Sequence, residues 1–397
     1  MLFLLAFLAA RQLTPTAFGQ YRTAFAFVGL FRILPDFGMS YASTLQVSRD
    51  RSAGGRIFGG LLGFQAVLSV LTLGLSLAIG RALFDGVTWF AVAILSLDLI
   101  LKSVKSTLRW LLKSFERFGA EAASLLLERC FLLGLGVWSL HRGFGVPGFV
   151  LVFAGVRLLD SFGLMAWIHA RVLRVSPSFD RALWWELLRR GLPFAYAGAM
   201  ITAFAQVDTV MLERLRDARE VGFYGAPAQI LEALTLIPRV LSYALIPTLA
   251  ALHQQRSPLV GALYRRGCKY LLLTGLPIAA FGAIAARPFV LAIFHGDYGP
   301  SVPAARILIP AAAFMFLSNF GETTLACIDR WRSIVVVSTL ALILNVGLNL
   351  VWIPRYGYMG AASSTLATEA AYFLMTSLAV RAAGYRAGWP SLILKPL

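Results

Sequence analysis

The chain has 397 residues, 58% of them hydrophobic and only 14% charged, with a mean hydropathy of +0.74. A soluble chain of this length needs far more polar surface, so a soluble multidomain protein is excluded. The net charge is +17, but the lysines and arginines gather in short breaks between apolar runs, which fits the positive-inside rule and argues against a nucleic-acid partner.

The apolar runs come about every thirty residues, and each is near the roughly 20 residues that a transmembrane helix needs. Residues 1–10 form a stub too short to cross, without the basic start or cleavage site of a signal peptide. Spans are predicted at 17–41, 56–80, 87–112, 119–140 and 146–170. A polar amphipathic stretch, 171–190, follows. The second set of spans is 191–212, 221–252, 264–286, 300–328, 333–353 and 358–380, and 381–397 is a tail. Arg49, Arg51, Arg56, Lys113, Arg117, Arg171, Arg174 and their counterparts down to Lys395 put 19 of the 36 basic residues in the breaks on one face. The opposite breaks hold 8, among them Arg11, Arg81, Arg142 and Arg355, and 9 lie inside spans. This bias predicts a cytoplasmic N-terminus in an inner, plasma-type membrane.

The chain also repeats. Arg11, Gly19, Tyr21 and Pro35 recur as Arg214, Gly222, Tyr224 and Pro238, each offset by 203 residues. The expected fold is therefore an all-α polytopic bundle of two six-helix lobes, 1–170 and 191–380, joined by a cytoplasmic linker, 171–190. Both copies enter and leave their breaks the same way, so a pseudo-two-fold axis along the membrane normal is expected to relate the lobes. The offset places the start of the first helix about a dozen residues before Met1, given the length of a span. Residues 391–397 read as the opening of a further helix, so a truncated chain is expected. Pro35 and Pro238 fall late in matching spans, where they are expected to kink or hinge them.

Charges inside spans mark function, because each costs about 2.5–3.5 kcal/mol at mid-bilayer. Asp98, Lys102, Lys105 and Arg109 fall within an arc of about 60° on one helix. Two readings are open for this stripe. It lines a wet cavity, or it is a packing seam in which Asp98 neutralises Lys102 at i, i+4. The first lobe carries Arg22, Arg32, Lys102, Lys105, Arg109, Arg129 and Arg157 against Asp36, Asp98, Glu121, Glu128 and Asp160. Arg32 and Asp36 are spaced for an i, i+4 pair. The second lobe reverses the balance, with Arg239 and Arg306 against Asp208, Glu232, Glu322 and Glu369. A cationic lobe suits a pyrophosphate, which makes Lys102, Lys105, Arg109, Arg22, Arg32 and Arg157 the candidate substrate-binding set. An acidic lobe suits a coupling proton or sodium ion, with Asp208, Glu232 and Glu322 as candidates. Asp208 also sits where it can cap its helix or pair with Arg214 or Arg216. Glu232 and Arg239, seven apart, share a helical face. Asn345 and Asn349 are spaced for interhelical hydrogen bonding.

Three stretches carry a family resemblance. Residues 13–42 read LTPTAFGQYRTAFAFVGLFRILPDFGMSYA; 207–250 read VDTVMLERLRDAREVGFYGAPAQILEALTLIPRVLSYALIPTLA; 345–362 read NVGLNLVWIPRYGYMGAA. Together they resemble the polysaccharide-biosynthesis flippases (the Wzx-like group) of the multidrug/oligosaccharidyl-lipid/polysaccharide exporter superfamily. The resemblance implies twelve to fourteen helices, two lobes, alternating access and an undecaprenyl-pyrophosphate-linked oligosaccharide as substrate. Other partners expected are membrane lipids and a polysaccharide polymerase, with a monomeric chain. A multidrug/cation antiporter of the same superfamily is the alternative, and a membrane polysaccharide ligase or glycosyltransferase a more distant one.

No enzyme signature is present. His141, His169, His253 and His295 are scattered, so no zinc motif forms, and no Walker A sequence occurs. Gly134 and Gly136 have Ser139 where a dinucleotide fingerprint needs its third glycine. Cys130, Cys268 and Cys327 are odd in number and widely spaced, which excludes a disulfide framework. No cofactor or metal is expected.

Overall fold

The computed structural model describes residues 2–40, 43, 47, 54–172 and 178–385. Among them are thirteen α-helices, a short 3-10 turn at Gly296–Tyr298 and no strand. In chain order the helices are α1 (Leu2–Gln12), α2 (Pro15–Leu30), α3 (Gly54–Leu83), α4 (Gly86–Ser114), α5 (Phe118–His141), α6 (Gly145–Arg171) and α7 (Arg181–Leu215). Then come α8 (Ala218–Leu234), α9 (Leu236–Gln254), α10 (Leu259–Phe294), α11 (Ser301–Cys327), α12 (Trp331–Tyr356) and α13 (Tyr358–Ala382). Eight stretches of the described residues are long and apolar enough to cross a membrane: α3 to α6, α8 with α9 as one, and α10 to α12. The chain is a multi-pass helical membrane protein. Helices dominate because lipid offers no partner for a bare backbone N–H or C=O.

The chain divides into two compact units, Met1–Val210 and Met211–Leu397, with the division inside α7. In the first unit α4 packs on α2, α3, α5 and α6, while α6 also meets α2 and α5. In the second unit α11 packs on α8, α10, α12 and α13, while α13 also meets α8 and α12. The second scheme repeats the first, with α8 in the place of α2 and α10 to α13 in the places of α3 to α6, while α11 also meets α9. The core of the first unit gathers Phe58, Leu61, Leu108, Leu111 and Ile168. That of the second gathers Tyr264, Leu308, Phe316 and Phe320, and the rings of Tyr264 and Phe320 stack 5.8 Å apart. There α11 is buried on nearly all sides, as a helix apolar all round should be.

A second repeated feature lies in the turns. After α4, Glu116 takes φ +57° and Arg117 N–H donates to Leu112 O at 2.9 Å. After α11, Asp329 takes φ +57° and Arg330 N–H donates to Leu325 O at 2.9 Å. Both turns read acid–Arg–aromatic, Glu116-Arg117-Phe118 and Asp329-Arg330-Trp331, and both close the preceding helix with a left-handed residue that is usually glycine.

The structure differs from the predicted spans at both repeated prolines. A helical N–H at position 35 would bond Phe31 O, and one at 238 would bond Leu234 O, but proline has none to give. Accordingly α2 ends at Leu30 and continues as tight turns, with Leu34 N–H donating to Phe31 O at 3.0 Å. Likewise α8 ends at Leu234, and Pro238 lies in the first turn of α9. Each proline thus follows a helix break at the same place in its copy, where a kinked continuous span was expected.

The amphipathic stretch also differs. Its residues 173–177 lie outside the described residues, but Arg181 to Arg190 are the first turns of the 35-residue α7. Asp180 caps that helix, accepting from the N–H groups of Ala182 and Leu183 at 3.0 and 3.1 Å. The start of α7 docks on α3. Trp184 donates its indole N–H to Gly60 O at 2.9 Å and stacks on Phe64. This approach is possible because Gly60 and Gly63 lack side chains: a Cβ on Gly63 would stand 2.2 Å from Ser178 O. The basic residues Arg49, Arg51, Arg174, Arg386 and Lys395, and the tail beyond Tyr385, lie outside the described residues.

Breaks assigned to one membrane face do meet within each unit. Arg56 pairs with Asp180 at 3.6 Å on one face, and Gln12 bonds His141 at 2.9 Å on the other. In the second unit Arg216 donates to Ile353 O and Pro354 O at 3.2 and 2.7 Å, and Glu220 accepts from Tyr358 N–H at 2.8 Å.

Candidate functional site

The charged stripe of α4 faces α5 and α6, not lipid. Lys105 Nζ lies 2.5 Å from Glu128 Oε1 and 3.3 Å from Asp160 Oδ2. Arg109 Nη2 donates to Glu128 Oε2 at 2.9 Å and to Ser124 Oγ at 3.2 Å, and stands 3.5 Å from Asp160 Oδ2. Ser124 Oγ donates to Asp160 Oδ1 at 3.1 Å. Arg157 Nε donates to Glu128 Oε1 at 3.3 Å, and its Nη1 pairs with Asp98. Lys105 and Glu128 are each 3% exposed. Three bases thus meet three carboxylates drawn from three helices, and the network is neutral when all are ionised. Removing one member of such a buried set costs about 3–5 kcal/mol, because a charge is left alone in an apolar place.

Sequence spacing put Asp98 against Lys102. In the structure Asp98 pairs with Arg157, fifty-nine positions along, and Lys102 forms no ion pair among the described residues. Lys102 is half-buried, and the charged groups in its surroundings are Arg157, Arg32, Asp98 and Arg129. Arg32 is exposed, just past the end of α2, and Arg129 is half-buried on α5; neither forms an ion pair among the described residues. The six sequence-selected bases therefore sort by partner. Lys105, Arg109 and Arg157 are held by carboxylates; Lys102 and Arg32 are not; Arg22 is buried in α2, 6% exposed. Arg129 joins Lys102 and Arg32 in the uncompensated group, which spacing along one helix could not reveal.

The expected Arg32–Asp36 pair does not form. With α2 ended, the i, i+4 geometry is lost, and the Asp36 carboxylate instead accepts from Ser40 N–H at 3.2 Å and from the Ser40 hydroxyl. From there a buried polar ladder runs Ser40–Thr107–Gln65–Ser103, with links of 2.9, 2.9 and 2.6 Å, and ties this segment to α4 and α3.

In the second unit Glu322 is half-buried on α11 and accepts from Tyr372 Oη at 3.2 Å. Glu369, one turn before Tyr372 on α13, is 8% exposed, and Ser338 Oγ lies 3.4 Å from Tyr372 Oη. Asn319 spends its amide on Met315 O at 2.8 Å, and Asn349 donates to Asn345 Oδ1 at 3.0 Å within α12. Glu232 is half-buried near the end of α8, and the break at Thr235 removes the shared helical face with Arg239. Asp208, in the first unit, is 6% exposed on α7. Arg216, a proposed partner for it, is bonded to the carbonyls of Ile353 and Pro354. No cluster of three His, Cys, Asp or Glu able to hold a metal occurs among the described residues.

A family profile described as "Polysaccharide biosynthesis protein" matches residues 1–253. Among curated proteins, the chain is 20% identical over 244 residues to an uncharacterized membrane protein, MJ1375, of Methanocaldococcus jannaschii, covering 59% of this chain and 54% of that one. The chain thus spans about half the length of that relative. Among solved structures, an inward-facing multidrug resistance MATE family transporter of the MOP superfamily aligns with TM-score 0.80 and 14% identity, over 96% of this chain and 94% of the other. The lipid II flippase MurJ, in an inward closed conformation, aligns with TM-score 0.77 and 12% identity, over 96% and 85%. A MOP superfamily transporter from Pyrococcus furiosus, described as having a binding pocket of reverse polarity, aligns with TM-score 0.63 and 14% identity, over 99% and 93%. At these identities the likeness is one of fold.

Proposed function

Because the chain belongs to the polysaccharide biosynthesis protein family, we propose that it is a flippase for an undecaprenyl-pyrophosphate-linked oligosaccharide, working by alternating access. The observation that carries this reading is Lys102, half-buried within a span and in no ion pair among the described residues, with Arg32 and Arg129 in the same surroundings and the nearby Asp98 already paired with Arg157. A base left without a carboxylate in a membrane helix is costly unless an anion visits it. A pyrophosphate supplies that anion, and guanidinium groups can meet it with bidentate donors. In this reading Lys102, Arg32 and Arg129 contact the head group. Lys105, Arg109 and Arg157 hold the helices that carry them, since binding an anion there would break existing pairs.

Coupling to a proton or sodium gradient is assigned to the acidic second unit, at Glu322 with Tyr372 and Glu369 and more distantly at Glu232, and to Asp208 of the first unit. The breaks before Pro35 and Pro238 are the proposed hinges. The chain works as a monomer in the inner membrane, with its N-terminus cytoplasmic, beside a polysaccharide polymerase, and it carries out no bond-making chemistry of its own.

The test is transport of a fluorescent polyprenyl-pyrophosphate sugar in liposomes. Lys102→Gln with Arg32→Gln is expected to reduce flipping at least tenfold while the protein inserts and folds as the parent does. Lys102→Arg should retain it. Undiminished flipping in the double variant rejects the head-group assignment. Efflux of a cationic drug without sugar-lipid flipping favours the antiporter.

A further inference from the structure

Between α5 and α6 runs a groove of about 580 Å³, within the usual range for ligand sites. Its walls are apolar: Leu127 and Phe131 are each 57% exposed, Leu159 is 74% exposed, and Trp167 is 40% exposed. Its floor is Ser124, Glu128 and Asp160, so it opens onto the buried ion network from the side. All lining residues belong to two membrane-spanning helices of the first unit. It runs from Ala120 to Leu135 along α5, about 22 Å at 1.5 Å per residue. That is enough to reach from one membrane surface past the middle of a hydrocarbon core about 30 Å thick.

The mouth is basic. Arg171 is one turn beyond Trp167 on the same face of α6, and Arg117 precedes Ala120 by three residues at the start of α5. Because α5 begins where the antiparallel α6 ends, both arginines lie at one end of the groove. Both are exposed and form no ion pair among the described residues. Glu116 is the one acid in the connecting turn, and Lys113, at the end of α4, is paired with Glu121 at 3.7 Å. The membrane-surface end of an apolar groove thus carries two free guanidinium groups and an interfacial tryptophan.

We propose that this groove holds one acyl chain of an anionic phospholipid, whose phosphate sits between Arg117 and Arg171. The seated chain keeps water off Ser124 and Asp160, which strengthens the ion pairs that fix α4, since charges attract more in a low dielectric. The lipid is then a structural cofactor of the first unit, independent of what the protein transports.

The test uses the full chain in phosphatidylcholine vesicles with graded amounts of phosphatidylglycerol brominated at mid-chain. The Trp167 signal is read as the difference from Trp167→Phe. Quenching by brominated phosphatidylglycerol should saturate at low mole fraction, while brominated phosphatidylcholine at equal fractions should not. Arg117→Gln and Arg171→Gln should each raise the half-saturating fraction about fivefold. Gly163→Phe should abolish saturable quenching, because that position faces open space and a ring there fills the groove without a clash. Equal quenching of the Trp167 signal by the two lipids overturns the proposal, and needs no variant beyond Trp167→Phe, a ring-for-ring change at a 40% exposed position. So does saturable quenching that survives Gly163→Phe.

Discussion

Glu128 is the keystone of the ion network, accepting from Lys105, Arg109 and Arg157. Glu128→Gln keeps the shape of the side chain but leaves three buried bases facing two carboxylates. The expected loss is about 3–5 kcal/mol, the cost of an uncompensated buried charge. For a folding unit of this size each kcal/mol moves the thermal midpoint by about 2–4 °C, so the shift should be roughly 6–20 °C. Pairing it with Lys105→Met restores the balance at two and two, and should recover most of the loss because a neutral apolar replacement of a buried pair is often well tolerated. The four proteins of this double-mutant cycle are compared by thermal unfolding in one detergent, with helical circular dichroism as the signal. A coupling of about 2 kcal/mol or more is expected, given that the groups touch. A single Glu128→Gln that shifts the midpoint by under about 2 °C, or a double variant no better than the two losses added, defeats the claim that the network is a closed charge set.

Three further outcomes are expected. Glu116→Gly and Asp329→Gly should each raise unfolding stability by about 1 kcal/mol, because glycine carries no penalty at φ +57°; loss of stability in both, by the same melts, speaks against the shared turn. Gly63→Ala should cost about 1–3 kcal/mol, since its methyl would stand 2.2 Å from Ser178 O and push the start of α7 off α3; proteolysis near Ser178 should then quicken, and an unchanged digestion pattern contradicts the close packing. Pro238→Ala restores an N–H for Leu234 O and should straighten the break at Thr235, read as a longer distance between spin labels on α8 and α9; an unchanged distance means the bend has another cause.

Much of this architecture is written locally. The repeat of Gly19, Tyr21 and Pro35 at Gly222, Tyr224 and Pro238 predicts two copies, and the packing schemes around α4 and α11 follow one another helix by helix. Hydropathy places eight of the eleven expected spans on stretches long and apolar enough to cross, because a bilayer is a one-dimensional filter on sequence; 17–41, 191–212 and 358–380 fall instead on α2, α7 and α13, which are not among the eight. The stripe of Asp98, Lys102, Lys105 and Arg109 was legible from helical spacing, but its partners were not. Glu128, Arg157 and Asp160 come from helices whose rotation about their own axes depends on packing, which spacing along α4 does not encode. Two spacing-based pairings do not form because the helix that would carry them is broken. Pro35 unwinds the turn that would join Arg32 to Asp36, and the break at Thr235 separates Glu232 from Arg239. The docking of α7 on Gly60 and Gly63 left only a faint mark, small residues three apart on α3, which needs a neighbour to acquire meaning. The twin acid–Arg–aromatic turns are present in the sequence, but 213 residues apart, out of register with the 203-residue repeat.

The closed charge set also bears on how the protein is made. As it leaves the ribosome, α4 brings one carboxylate and four cations, and its partners Glu128, Arg157 and Asp160 have yet to be synthesised. Alone in hydrocarbon such a segment is a poor lodger, whereas with α5 and α6 in place Lys105 and Arg109 meet carboxylates and Asp98 meets Arg157. The three helices are therefore a unit of insertion as well as of packing. A stop in synthesis after Ser114 should leave α4 lingering at the translocon or the membrane surface, and release into lipid should follow only once α6 has emerged.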